Sequence, residues 1–370
     1  MFGEFHLLLK LQPVSNFMKA CEIMGAIENK SITIYDIARE AGVSPATVSR
    51  VMTNSANVRA EKRNRVLQII EKYNFKPNAL AKGLSETSTK SIGIIVADVR
   101  NPFYAQLFVA CESAAQKAGY TVSLYNSFGV TENEIEQLEM LRQQKVDAIV
   151  QIGGRVDDLE TDRHYGEIVK KLSDTVPFIV TGRLDEGIPS YSVEIDARSA
   201  TSLVMEHLLA LGHTRIAIVG GRPDVRSSND KKVIYANILK EHGIEVNPDY
   251  IVDGSYSIED GYESMKKIMQ LPKLPTAIIA INDFTAAGVV RAIGDSGYRI
   301  PQDFSVASFD NTYISEVMIP KLTSVDYNYE SFGKCLIETA IAVSKGEEVP
   351  RWQSVEPTLV KRESSGPSRA

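Results

Sequence analysis

Between residues 31 and 73 the apolar positions repeat with the period of a helix. Ile34, Ile37, Ala38 and Ala41 fall at i, i+3, i+4 and i+7 and make one apolar face. Thr33 before them is an N-cap, and Asp36 three residues on gives the near equivalent of a capping box. Gly42 ends the helix. Ser44 and Pro45 open a second one, a capping residue followed by a ring that needs no N–H at the first helical position. Val48, Val51 and Met52 supply its inner face. After a polar loop, a third helix is expected over residues 60–73, with Val66, Ile69, Ile70 and Tyr73 inward. Pro77 closes that run, Asn78 caps a short helix over residues 79–84, and residues 85–89 read as a polar linker. From Lys90 the pattern changes. Short β-branched runs (91–97, 121–126, 146–151, 176–181, around 193, 215–220, 276–282, 304–309) alternate with helical stretches (104–118, 132–144, around 168–172, 197–211, 231–241, 261–270, 285–296). This is an α/β pattern of parallel strands covered by helices, run through twice in tandem.

The first two helices, joined by a turn containing Gly42, predict a helix-turn-helix, whose second helix enters the DNA major groove. Its outer face is not the Glu/Lys face of a solvated helix. Pro45 and Ala46 are small and apolar, suited to a thymine methyl, and Arg50 one turn on has the fork that guanine O6 and N7 accept. Thr47, Ser49 and Thr53 carry hydroxyls suited to phosphates. Thr33, Tyr35, Ser44 and Asn57 complete the candidate DNA contacts of the head.

Charge sharpens this picture. Residues 31–90 hold ten Lys/Arg against five Asp/Glu, which leaves the rest of the chain with 31 bases against 42 acids. A basic head on an acidic body is the layout of a DNA reader whose body does not adhere to phosphate. The length of 370 residues and 44% hydrophobic content suit two or three packed domains. The three cysteines, Cys21, Cys111 and Cys335, are far apart and show no metal-binding spacing, so reduced thiols and a cytoplasmic setting are expected. Residues 1–30 read as a poorly ordered leader. The run FHLLLKL is too short for a membrane span and lacks a cleavage site, and Met18 or Met24 are alternative starts. No nucleophile elbow, HExxH, Walker loop or GxGxxG is present, so no catalysis, cofactor or metal is expected. His207 and His213, six apart across a helix end, read as structural.

In order along the chain stand TIYDIAREAGVSPATVSRV, KPNALAKGL, KSIGIIVADVRNPFY, HLLALGHTRIAIVGG, DGYESM, PTAIIAINDFTAAG, GYRIPQDFSVASFDN, PKLTSVDY and PTLVKRES. This ordered set resembles the lactose-repressor (LacI/GalR) family of bacterial transcription regulators over about residues 31–363. The resemblance implies an α/β fold class: an all-α helix-turn-helix domain (31–77), a hinge helix and linker (78–90), and a bilobed, periplasmic-binding-protein-like core of two doubly wound lobes (91–363). The chain is expected to cross between lobes three times. Lobe one then takes about 91–190 and 323–346, lobe two about 191–321 and 352–362, with a loose tail at 364–370. It implies that the hinge helix folds when two subunits pair over a palindromic operator, that Leu84 wedges into the minor groove, and that Asn78, Ala81 and Lys82 contact DNA beside it. Partners would be double-stranded operator DNA, a second copy of the chain and a small effector, with no membrane.

Ligands of open α/β sheets bind beyond the carboxyl ends of the strands. The candidate effector residues at those positions are Asn101, Phe103, Tyr104, Gly153, Arg183, Arg226, Ser227, Lys231, Tyr256, Asn282, Asp283 and Asp310. Forked polar groups with aromatic platforms suit a sugar. Lys231 stands where many family members have Arg, and Ile234-Tyr235 where they have Gly-Phe. A point charge in place of a planar fork weakens the expectation of the usual bidentate sugar clamp. Thr53 likewise replaces an Asn common in the head. A sugar phosphate, a nucleoside or a phosphocarrier protein acting as corepressor stays open. A sugar-binding protein without a DNA role, or an enzyme built on the bilobed core, fits the basic head poorly.

Overall fold

A computed structural model of the chain describes residues 32–52, 58–75 and 88–369. The chain divides into two compact units, one ending at Thr87 and one beginning at Ser88. The expected hinge helix, with Asn78, Ala81, Lys82 and Leu84, lies outside the described residues, as do Thr53, Asn57 and the leader.

The first unit holds α1 (Ile34–Ala41), α2 (Pro45–Met52) and α3 (Ala60–Lys72). The capping box at the start of α1 is formed: the Asp36 carboxylate accepts from Thr33 N at 3.0 Å, and Asp36 N donates to Thr33 Oγ1 at 3.4 Å. Gly42 takes the left-handed conformation that closes the helix, at φ 64°. Ile37, Ala38 and Ala41 from α1, Val48 and Val51 from α2, and Val66 and Ile69 from α3 form one small core. Lys72 on α3 pairs with Glu40 on α1 at 2.7 Å and holds that carboxyl below its usual range.

The second unit contains two six-stranded sheets. Sheet one runs β11-β5-β4-β3-β1-β2, built from β1 (Ser91–Val96), β2 (Thr121–Asn126), β3 (Ala148–Ile152), β4 (Phe178–Val180), β5 (Tyr191–Ile195) and β11 (Trp352–Val355). Its pairs are parallel, and helices α4 (Pro102–Lys117), α5 (Thr131–Gln143) and α6 (Arg163–Ser173) connect its first strands. Sheet two runs β12-β10-β9-β8-β6-β7, from β6 (Ile216–Val219), β7 (Ile251–Val252), β8 (Ala277–Ala280), β9 (Ser305–Asp310), β10 (Thr323–Asp326) and β12 (Thr358–Val360). It is parallel except where β12 closes antiparallel on β10. Its helices are α7 (Ala197–Ala210), α8 (Arg226–Glu241), α9 (Ile258–Ile268) and α10 (Asp283–Asp295), with the short α11 (Tyr313–Val317) after β9. Central strands such as β1, β3 and β8 are almost wholly buried, as parallel strands covered on both faces must be.

Each of the three lobe crossings falls one strand later than the sequence suggested. β5 pairs with β4 and stays in lobe one; the chain crosses only at α7. β10 pairs with β9 in lobe two, and α12 (Tyr329–Ser344) then returns to pack Leu336 and Ile337 into the lobe-one core. β11 pairs with β5 in lobe one, and β12 crosses back. Strand pairing overrides the local boundaries, because a three- to five-residue strand has no stability outside its ladder.

The segment expected to be a loose tail is tied down. Ser364 is fully buried and donates from Oγ to Val306 O at 2.6 Å, and Gly366 N donates to Ser305 Oγ at 3.0 Å. His213 is structural, as read: its ring nitrogens meet Thr276 Oγ1 at 2.8 Å, Ser305 Oγ at 3.1 Å and Gly366 O at 2.9 Å. At the other end of this unit the Asp147 carboxylate accepts from Thr89 N at 2.7 Å, Thr89 Oγ1 at 2.9 Å, Lys90 N at 3.1 Å and Ser88 Oγ.

Candidate functional site

In the head, Thr47 N donates to Ser44 Oγ at 3.3 Å and the two hydroxyls lie 3.0 Å apart, so the first turn of α2 is capped from within. With Val48 and Val51 turned inward, the opposite face presents Ser44, Ala46 and Arg50 to solvent, with Pro45, Thr47 and Ser49 half-buried beside them. Tyr35 on α1 is 66% exposed, unusual for so large a ring in a small bundle. These are the geometry and residue types of a major-groove reading helix.

In the second unit a cleft of about 660 Å³ opens between the lobes at the carboxyl ends of both sheets. Of the candidate effector residues, Asn101, Phe103, Tyr104, Gly153, Arg226, Ser227, Lys231, Tyr256, Asn282 and Asp310 line it. Two do not. Arg183 is held at the edge of the cleft, paired at 2.8 Å with Glu194, which does line it, and lying over the Trp352 ring. Asp283 lies beneath the wall, fully occupied by Ser308 Oγ at 2.5 Å, Thr312 N at 2.6 Å, Thr312 Oγ1 at 2.9 Å and Ser324 Oγ at 2.9 Å. Asn101 and Asn282 both line the cleft and cap helices, through Phe103 N at 3.1 Å and Thr285 N at 2.8 Å. The loop before α8 was expected to run to residue 230. The helix instead starts at Arg226, so Ser227 and Lys231 stand one turn apart on one face.

The close approach of lobe-one backbone depends on glycine. A Cβ on Gly153 would meet Tyr104 Oη at 2.6 Å and one on Gly154 would meet Glu134 Oε1 at 2.0 Å; both have positive φ. Behind them Glu134 is buried with its carboxyl raised by burial, offset by bonds from Gln151, Arg155 N and Ser127. On the far side Asp310 ends β9 at φ 95°, a strained conformation for any residue but Gly. Its carboxyl is pushed up to about 8 by burial and by the charge of Asp283, with Lys231 opposing. Burial draws the Lys231 ammonium down, while Asp310 and Asp157 hold it up. Its Nζ lies 5.0 Å from the centroid of the Phe309 ring. Phe103 meets Tyr104 edge-on at 5.0 Å and Tyr327 at 6.0 Å, an aromatic corner beside these charges.

Sequence reasoning missed Asp157. It sits in the 3₁₀ turn Gly154–Asp157 and reaches across the cleft, accepting from Ser227 N at 3.1 Å and Ser227 Oγ at 2.6 Å. Burial lifts its carboxyl to about 6, with the Ser227 bonds and Lys231 pulling the other way. Arg226 beside it donates across the same gap to Leu159 O at 2.7 Å and Asp158 O at 3.3 Å. In the sequence, RVDDLE looks like a surface charge run, and nothing local marks its first Asp as buried. Arg155 and Arg226 each keep a buried Nε without a hydrogen-bond partner among the described residues.

The described residues hold no cluster of side chains able to bind a metal ion, and no helix long and apolar enough to cross a membrane.

A helical reading head followed by a bilobed α/β core with an interlobe cleft is the make-up of a ligand-controlled DNA-binding regulator. Residues 33–78 match the family described as bacterial regulatory proteins, lacI family, and residues 205–365 match the periplasmic binding protein-like domain. The chain is 36% identical to catabolite control protein A of Priestia megaterium over 296 residues, covering 80% of this chain and 87% of that one. The same protein of Staphylococcus xylosus is 36% identical over 297 residues, with the same coverage. Among solved structures, the lac repressor dimer bound to operator and an anti-inducer aligns with a TM-score of 0.81 at 27% identity, covering 91% of this chain and all of that one. The chain belongs to the lacI family of bacterial regulatory proteins. It is a DNA-binding transcription regulator with an effector-binding core, not an enzyme.

Proposed function

We propose that the protein acts in the cytoplasm as a repressor, two copies holding their heads on a palindromic operator under the control of a sugar-like effector in the cleft. The observation that carries the effector reading is the interlobe cavity itself. It sets Lys231 and Asp310 against an aromatic corner of Phe103, Tyr104 and Tyr327, and the spare Nε donors of Arg155 and Arg226 stand at its wall. Hydroxyls need such donors and acceptors, and sugar ring faces need such platforms. Arg50 and Ala46 would read base edges and Thr47 and Ser49 phosphates, while Leu84 with Ala81 and Lys82 would engage the minor groove. A single head covers only a half-site, so dimerisation is part of the reading. The outer face of α4 and α12 suits it: a groove there is lined by Val109, Ala110, Ile337 and Ile341, and Val109 is 60% exposed.

The effector acts by binding one lobe arrangement better than another, since only differential affinity shifts an equilibrium. The contacts Asp157–Ser227 and Arg226–Leu159 would be the ones exchanged. The test is thermal shift of the full chain against sugars, sugar phosphates and nucleosides, followed by operator titration with each hit. A ligand at a hundred times its dissociation constant adds about 2.7 kcal/mol of stability. A sugar that stabilises the chain and changes operator affinity is the expected result; a hit that leaves DNA binding untouched overturns the control mechanism.

The similarity to the catabolite control proteins favours a second reading, a sugar-responsive regulator whose corepressor is a phosphocarrier protein. Operator affinity that rises with that protein and stays constant across the small-molecule panel would support it over the first.

A further inference from the structure

Glu134 on α5 is fully buried, close behind the backbone of Gly154. A buried carboxyl is kept only where donors converge on it. Three do. Gln151 Nε2 donates to Oε2 at 2.6 Å, Arg155 N donates to Oε2 at 3.2 Å, and Ser127 Oγ lies 3.2 Å from Oε1. Gln151 is itself fixed, because its Oε1 accepts from the fully buried Tyr165 Oη at 2.7 Å. It cannot turn over without unmaking one of its two bonds. The carboxyl therefore has a set place, and from that place it meets the N–H of Arg155.

Arg155 belongs to the 3₁₀ turn Gly154–Asp157, the part of lobe one that reaches lobe two. Asp157 accepts from Ser227 N at 3.1 Å and Ser227 Oγ at 2.6 Å, Leu159 N donates to Asp224 O at 3.0 Å, and Asp158 bridges Val225 in antiparallel fashion. A single 3₁₀ turn has poor hydrogen-bond geometry of its own, and this one is entered through two positive-φ residues, Gly153 and Gly154. Its flanks are tied, Gly153 N to Thr181 Oγ1 at 3.1 Å and Val156 O to Arg183 N at 2.9 Å. Between those ties the Glu134 carboxyl takes the N–H two residues before Asp157.

We propose that Glu134 is a positioning residue for the lobe contact: by accepting Arg155 N it sets the turn where Asp157 reaches Ser227. This deepens, and rests on, the reading of Asp157–Ser227 as a contact that the effector exchanges.

The test introduces Asp157→Cys and Ser227→Cys together into the full chain. The rate at which a mild oxidant links the two cysteines is followed by mass spectrometry of the joined peptides, with no ligand added. Glu134→Ala is expected to slow the link about fivefold or more, the scale on which one unmade buried hydrogen bond shifts a population. Glu134→Gln keeps an oxygen for Arg155 N, but its amide drives Gln151 to turn over and leaves the Tyr165 hydroxyl unpaired. It is expected to melt lower than the parent yet to link at the parent's rate, which separates position from stability. If Glu134→Ala does not fold, Glu134→Asp takes its place; it keeps the carboxylate, withdraws it by one methylene and is expected to slow the link likewise. If Glu134→Gln slows the link as much as the shorter side chain does, or if neither slows it, the positioning role is wrong while the lobe contact stands. If the two cysteines do not link with Glu134 in place, the Asp157 contact is not populated and both fall together.

Discussion

The head residues proposed to read base edges and phosphates, Ala46, Thr47, Ser49 and Arg50, all stand on one two-turn helix. The residues the cleft offers to a ligand come from both lobes: Tyr104, Phe128 and Asp157 from one, Lys231, Tyr256 and Asp310 from the other. The head buries a handful of apolar side chains from three helices, whereas the core closes two six-stranded sheets. The difference is one of wiring. The head's surface is fixed by local periodicity and two caps, so single changes act locally. The cleft's surface is fixed by strand ends brought together at long range, so its chemistry depends on the whole core and on which lobe arrangement is populated.

Four experiments press on this contrast. The largest effect is expected from Gly288→Ala. Gly288 lies where α9 and α10 cross, and an added Cβ would stand 1.9 Å from Ile258 O, a backbone atom that cannot swing aside. Overpacking there is expected to cost the core about 3 kcal/mol or more, read as a lowered core melting transition with the head's helical signal unchanged. Coincident loss of both would mean that the two units fold as one. Next, Arg50→Ala should cost about 1–3 kcal/mol on the cognate operator and relax base preference at one position, with sugar binding untouched; an equal loss on all DNA would make Arg50 a phosphate contact. Thr33→Ala removes the capping box of α1 and should cost the head about 1 kcal/mol, a larger share of stability in so small a core than in the lobes.

The last effect is one of pH, read as a slope. The folded Asp310 carboxyl keeps its proton up to about 8 against an ordinary 3.8. Folding therefore takes up a proton between those values, and core stability falls as pH rises through that window. Asp157, raised to about 6, adds a slope of the same sign below that value. Asp310→Asn should flatten the decline in core melting temperature between about pH 5 and 8. An unchanged slope would place the titration elsewhere.

Sequence periodicity was enough to place the helices of the head, because caps, a left-handed glycine and apolar spacing are all local. The same holds for most strands and helices of the core. Three features were not legible, each for a physical reason. The lobe crossings depend on which sheet accepts β5, β10 and β11, a matter of pairing across the molecule. The role of Asp157 depends on burial against Ser227, seventy positions away, and RVDDLE carries no sign of it. The closing segment SSGPSRA has the composition of a loop, yet Ser364 and Gly366 answer polar groups of Val306 and Ser305 inside the core. Arg183 and Asp283 stand near strand ends, as read, but the guanidinium of the first is taken by Glu194 and the carboxylate of the second by Ser308, Thr312 and Ser324, so Asp283 does not line the cleft.

The carboxylate of Asp147 gives the chain a mooring. Because it gathers the side chain of Ser88 and the backbone of Thr89 and Lys90, the first three residues of the second unit are anchored on lobe one by the residue just before β3. One carboxylate thus sets where the chain enters β1, and its removal would free three consecutive residues at once.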